Sequence, residues 1–204
     1  MVRAFNLPRI RLVVDLQASA LDIPSFEAHL LRVVSAGVSP LIAGTMGEAI
    51  HLSHSERVKL IQVTRKLLDD ASFTHVPIIA GTGAGSTRET VELTLQAAAA
   101  GADYAIVIAS GYFAGALAND RKALKAFWVE IADKSPIPVM IYNCTLIPFS
   151  LILNTKFSSP QDPSACGGID LDSDLIIELA KECPNICGVK LTYVDFILSS
   201  PQWK

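Results

Sequence analysis

One pattern constrains this chain more than any other: a short apolar run followed by a stretch of helical spacing, repeated along its length. Apolar runs start near residues 38, 76, 104, 138 and 186. The segments between them are long enough to hold a helix and a return. Such crossovers join parallel strands, whereas a tight turn can only join antiparallel ones. The spacing therefore predicts an α/β fold with a parallel sheet and right-handed crossovers. Two layouts satisfy it, a (β/α) barrel and an open doubly wound sheet, and periodicity alone does not separate them.

The elements carry their own punctuation. Ile10–Val14 reads as a first short strand. Pro24 to Ala36 shows helical spacing, with Pro24 suited to the first turn and Gly37 to the C-terminal stop. Val38–Ala43 reads as a buried strand. Ser53-His-Ser-Glu56 forms a capping box ahead of a helix to about Asp70, and Ser86-Thr-Arg-Glu89 forms a second box ahead of an Ala-rich helix ending at Gly101. Val76–Ala80, Tyr104–Ala109, Pro138–Tyr142 and Ile186–Lys190 complete the strands. Helices are expected from Asn119 or Asp120 to about Lys134 and from about Asp172 to Cys183.

One interval is too long. Its excess lies in 144–165, which has no helical period, carries Pro148, Pro160 and Pro163, and includes the apolar run Leu151-Ile-Leu153. An unstructured connection of that length is unusual in a compact domain. The residues after Thr192 fit the rhythm no better.

Composition narrows the function classes. Half of the 204 residues are apolar and 18% are charged, enough to bury a core. A net charge of −3 argues against a nucleic-acid partner, which needs a clustered basic surface. Apolar stretches such as Tyr104–Ala109 fall far short of the roughly 20 residues that span a bilayer, so no membrane partner is expected. Cys144, Cys166, Cys183 and Cys187 form no C-x-x-C pair, and free thiols in a reducing compartment are expected. Arg3, Arg9 and Arg11 precede the first acid, Asp15. The expectation is an ordinary cytoplasmic N-terminus, with a mitochondrial transit peptide as the alternative.

In a barrel the working residues sit at the C-terminal strand ends. Those ends read Gly44-Thr-Met-Gly-Glu48, Gly81-Thr-Gly-Ala-Gly85, Ser110-Gly-Tyr-Phe113, Tyr142-Asn143 and Gly188-Val-Lys190. Lys190 closes an apolar strand. Desolvation there would favour a neutral amine able to attack a carbonyl and form a Schiff base. A lysine that reaches solvent or pairs with an acid is an equal reading. Tyr142 could pass protons or simply pack in the core. Thr45 lies in a Gly-flanked turn whose hydroxyl and backbone N–H groups could face a carboxylate, and Glu48 is expected to hold that turn through its carboxylate. The glycines of 81–85 match a dinucleotide loop weakly, because Ser86 stands at its last position. His51 and His54 show no third metal ligand, so no metal is expected.

The ordered set Gly44-Thr-Met-Gly-Glu48-Ala-Ile-His-Leu-Ser53, Pro77-Ile-Ile-Ala-Gly-Thr-Gly83, Ala100-Gly-Ala-Asp-Tyr104, Pro138-Val-Met-Ile-Tyr-Asn143 and Asn185-Ile-Cys-Gly-Val-Lys190 resembles the dihydrodipicolinate synthase / N-acetylneuraminate lyase family. The wording is most similar to its fungal, 4-hydroxy-2-oxoglutarate aldolase-like branch. The resemblance implies a (β/α)8 TIM barrel and class I aldolase chemistry on pyruvate and an aldehyde, without cofactor or metal, in a homotetramer. By position it implies Lys190 as the Schiff-base lysine, Tyr142 as the proton relay and Thr45 as its link. It also implies Gly44, Met46, Gly47 and Tyr112 as substrate-binding residues.

Several positions depart from the family. Met46 replaces the second hydroxyl of the signature. Phe113 stands where many members have a second tyrosine, and the arginine that follows the Tyr-Asn motif in dihydrodipicolinate synthases has no counterpart. Family chains continue through two more strands after the lysine, whereas this one runs 14 residues past Lys190. The resemblance thus implies a single domain over 1–204, an incomplete barrel of about six βα units. Within it, an irregular insertion at about 144–165 and a tail at about 193–204 read as translated introns or gene-model errors. An inactive, truncated or mis-spliced family member is the alternative reading.

Overall fold

The computed structural model describes residues 14–15, 20–143 and 168–191. The insertion and tail expected from the sequence lie outside them.

Local chemistry sets the helices. Helix α1 (Ile23–Ser35) begins where Asp22 accepts from the Ser25 N–H at 3.1 Å, and Gly37 takes a φ of +78° after it. Helix α2 (His54–Asp70) opens on the expected capping box: the Ser53 N–H donates to Glu56 at 2.8 Å, and the Glu56 N–H donates back to the Ser53 hydroxyl at 3.3 Å. Helix α3 (Thr87–Ala99) keeps half of its expected box. Ser86 accepts from the Glu89 N–H, but the Glu89 carboxylate turns to His54 Nε2 at 3.2 Å. Short α4 (Ala114–Leu117) precedes α5 (Arg121–Lys134), capped by Asp120, and α6 (Ser173–Glu182) is capped by Asp172.

The strands β3 (Leu41–Ile42), β4 (Ile79–Gly81), β5 (Tyr104–Ile108), β6 (Val139–Asn143) and β7 (Ile186–Leu191) form one parallel sheet in chain order. Each crossover lands on the next strand in the same direction. A doubly wound sheet reverses its order at a switch point; this sheet does not, and it has the winding of a barrel wall.

The expected first strand behaves differently. Its residue Val14 belongs to β1 (Val14–Asp15), which pairs antiparallel with β2 (Ala20–Leu21), outside the parallel sheet. Four residues between the two strands are too few for a parallel crossover. Residues 10–13 lie outside the described set.

Alternation along each strand gives the sheet two unlike faces. The outer face is buried under helices. Ile42, Ile78 and Ala80 pack with Phe26, Leu30, Leu60, Ile61 and Leu68, while Ala105, Val107, Val139 and Ile141 pack with Trp128, Ile131, Leu175 and Leu179. The inner face is sparser: Ile79, Ile106 and Met140 are buried there, with Leu41, Tyr104, Tyr142 and Cys187 half-covered beside them.

Candidate active site

Lys190 reaches the inner face through an irregularity. Val139 pairs with Ile186, but Met140 pairs with Gly188, so Cys187 is an extra residue bulged from β7. An unbroken register from Val139–Ile186 would set Val189 opposite Tyr142 and turn Lys190 outward with Asn143. The bulge shifts the count by one, because a one-residue slip exchanges the faces of a strand. Tyr142 and Lys190 are then direct partners. The Lys190 Nζ lies 3.5 Å from the centroid of the Tyr142 ring, a cation–π geometry. Lys190 is half-buried rather than sealed in a core, as is every residue of β7. Cys187 donates its thiol to the Val139 carbonyl at 3.4 Å, and burial pushes that thiol's pKa up.

The loops above the strands are built from backbone. After β3, Ala43 takes a φ of +53°, Thr45–Gly47 forms a 3-10 turn, and Glu48 takes a second left-handed φ of +53° before the turn Ala49–His51. Glu48 is exposed and holds the loop through this backbone geometry, not through the expected carboxylate bonds. Thr45 and Met46 are exposed and Gly47 is buried. The turn is at the same end of the sheet as Tyr142, three strands away in the order.

Gly81 and Gly83 serve close packing. A Cβ on Gly81 would stand 2.0 Å from the Ala43 carbonyl oxygen, and one on Gly83 would stand 2.8 Å from the Ile108 nitrogen. Packing accounts for these two glycines without a phosphate ligand, while a Cβ on Gly85 would meet nothing within 4 Å. Thr94 donates to Thr82 at 2.9 Å, the Ala84 N–H donates to Thr90 at 3.2 Å, and Ser110 donates to the Gly85 carbonyl at 2.8 Å. The loop is thus held from α3 and from the end of β5.

Two residues sit differently from the rest. Tyr112 is 83% exposed and meets Phe113 edge-on, with ring centroids 4.8 Å apart. Asn143 faces outward and is buried. Its amide nitrogen donates to Asp170 and to the Leu171 carbonyl, and its oxygen accepts from the Leu171 N–H at 3.1 Å. This latch, to which sequence reasoning gave no role, sets residues 143 and 170–171 side by side. The strand's alternation was the available signal: next to inward Tyr142, residue 143 must face the helices.

The structure therefore brings Tyr142 and Lys190 into contact and holds Gly44, Thr45, Met46, Gly47 and Tyr112 on loops at the same end. Fold and site define a protein of the (β/α)-barrel class with its polar groups at the C-terminal strand ends. The chain belongs to the dihydrodipicolinate synthetase family, whose sequence profile matches residues 17–153. An L-threo-3-deoxy-hexylosonate aldolase of Aspergillus niger is 38% identical over 179 residues, 87% of this chain and 48% of its own length. A protein of Emericella nidulans named "Probable 4-hydroxy-2-oxoglutarate aldolase, mitochondrial" is 39% identical over 172 residues, 84% of this chain and 49% of its own. A prophage protein of the dihydrodipicolinic acid synthase family from E. coli K12, solved in complex with pyruvate, superposes with a TM-score of 0.73 at 28% identity. That match covers 93% of this chain and 54% of the other. The chain spans about half the length of the curated relatives it matches. Among the described residues no helix is long and apolar enough to cross a membrane.

Proposed function

We propose that this chain carries the Schiff-base half of a class I aldolase that acts on pyruvate or a 2-oxo acid that yields it. The observation that supports the reading is the pairing of Lys190 with Tyr142 at the C-terminal ends of adjacent parallel strands. Lys190 Nζ, once it has given up its proton, attacks the C2 carbonyl of the oxo acid. The carbinolamine loses water to give an iminium. The iminium accepts the electron pair of the breaking C–C bond, an aldehyde departs, and reprotonation at C3 followed by hydrolysis returns pyruvate and the amine. Tyr142 moves protons to and from the carbinolamine and the aldehyde oxygen. Thr45 links that relay, and the backbone N–H groups of Gly44, Met46 and Gly47 receive the oxo acid's carboxylate. Tyr112 contributes to the substrate end of the site.

Relatives named as aldolases of 3-deoxy-hexylosonate and 4-hydroxy-2-oxoglutarate favour an aldehyde from a sugar acid or glyoxylate as the second partner. The name of the Emericella relative and the early arginines Arg3, Arg9 and Arg11 favour a mitochondrial address over the cytoplasm. Exposed Tyr112, Phe113 (64%) and Met46 (57%) supply apolar surface for a homotetramer, read by light scattering.

Borohydride trapping with pyruvate, followed by peptide mapping, tests the proposal. A reduced adduct on Lys190 that Lys190→Arg abolishes supports it. A folded protein without adduct overturns it and leaves the inactive reading.

A further inference from the structure

Arg57, in the first turn of α2, reaches back eight residues and donates from Nη2 to the Ala49 carbonyl at 2.7 Å. The Ala49 peptide closes the loop that carries Thr45. Its N–H meets the Gly44 carbonyl at 3.4 Å, its carbonyl also accepts from the Leu52 N–H at 3.1 Å, and the Gly47 and Glu48 N–H groups close the first turn onto Gly44 and Thr45. A loop with two left-handed non-glycine residues, Ala43 and Glu48, needs such ties, because each of those conformations costs about 1–3 kcal/mol.

The rest of the guanidinium is buried but unanswered. Arg57 Nε and Nη1 have no protein partner, nor has Gln96 Oε1 on α3, and all three atoms are buried. Both residues line one cavity of about 10 Å³ between α2 and α3, together with Val58, Gly81 and Thr82. That volume matches one water molecule. The chemistry selects water over an anion. Arg57 offers only donors and Gln96 Oε1 only accepts, so the occupant must accept and donate together. Burial pulls the Arg57 pKa down and the charge of Glu89 opposes it.

We propose that Arg57 is a positioning residue for the Thr45 loop, braced against Gln96 through one buried water. Ala49 is then the grip and the water is the brace. The consequence for catalysis rests on the aldolase reading; the clamp does not.

Hydrogen exchange of the amides of Gly47, Glu48, Ala49, His51 and Leu52 tests the clamp without any substrate. Arg57→Met should speed their exchange roughly tenfold or more, the scale of losing one hydrogen bond to a charged group. Gln96→Leu should speed it by less. Arg57→Lys, which keeps the charge but not the fork, should behave like Arg57→Met and serves if that variant fails to fold. Borohydride trapping on the same variants should still label Lys190 at saturating pyruvate, while turnover per labelled site falls about tenfold and KM for pyruvate shifts less. Unchanged exchange in folded Arg57→Met and Arg57→Lys overturns the clamp. Unchanged exchange in Gln96→Leu overturns the water brace, as does a bromide ion bound at the cavity in a crystal. A wild-type chain without adduct overturns the aldolase reading alone and leaves the exchange result standing.

Discussion

The two faces of the sheet differ in what holds them. The outer face is closed by five long helices, and its strand residues Ile78, Ala80, Ala105, Val107, Val139 and Ile141 are fully buried. The inner face buries Ile79, Ile106 and Met140 and leaves Tyr142 and Lys190 half-covered. Hydrophobic burial scales with the apolar area removed from water, so most of the stability of the described residues comes from the outer layer. The inner layer gives up burial and keeps the polar ends of Tyr142 and Lys190 within reach of solvent. The bulge at Cys187 joins the two, since leaving that residue out of the pairing keeps Lys190 on the inner face, where an unbroken register would turn it outward.

The largest expected effect comes from moving the lysine by one residue. Inserting an alanine between Val189 and Lys190 should set the lysine opposite Asn143 and turn it outward. Adduct trapping should fall to background while the fold persists by circular dichroism. Deleting Cys187 removes the bulge but leaves Lys190 opposite Tyr142, and should keep the adduct. An adduct that survives the insertion would break the link between register and chemistry.

Trp128→Ala should cost about 3–5 kcal/mol by denaturant unfolding, since Trp128 is fully buried under the outer face. Met140→Ala, on the inner face, should cost about 2 kcal/mol, at the low end for such a change because the face is less tightly covered. Equal costs would erase the contrast between faces. Asp172→Ala removes the α6 cap and its pairing with Arg121, and should cost about 1 kcal/mol.

The smallest effect is on acid stability. The Leu175 N–H, and then Arg121, hold the Asp172 carboxyl below the usual carboxylate range; Lys125, and then Arg121, do the same for Glu178. Both groups have folded-state values lower than their unfolded ones. Their contribution is therefore complete above about pH 4 and is lost as pH falls through the folded values. A titration of Tm should show a shallow acid decline that Arg121→Ala flattens. Asp172 is exposed and Glu178 partly so, and added salt should shrink the difference.

Much of this was legible in the residues. The capping box at Ser53, the stop at Gly37 and the ranges of α2 and α5 follow from chemistry within a few positions of each other. The strand ends that gather the polar groups follow from the spacing of apolar runs. Less legible were the features that depend on distant partners. The carboxylate of Glu89 left its own helix for His54, because α2 and α3 pack side by side. Glu48 acts through its backbone, which its side-chain chemistry does not announce. Gly81 and Gly83, two positions of a weak match to a dinucleotide loop, are set by Ala43 and Ile108, which stand against them.

The sequence by itself determined the long helices, the parallel strands, their order and the family, because propensity, capping and periodicity act over a few residues and five ordered motifs are written in the chain. Periodicity left a barrel and an open sheet both standing; the family resemblance implied the barrel, and the strand order of the tertiary structure agrees with it. Only the tertiary structure set Tyr142 and Lys190, 48 positions apart, in contact, and it committed Gly81 and Gly83 to packing. Register, burial and close approach are relations between segments far apart in the chain. A single bulged residue changes which face a side chain takes without altering any local preference that the sequence displays.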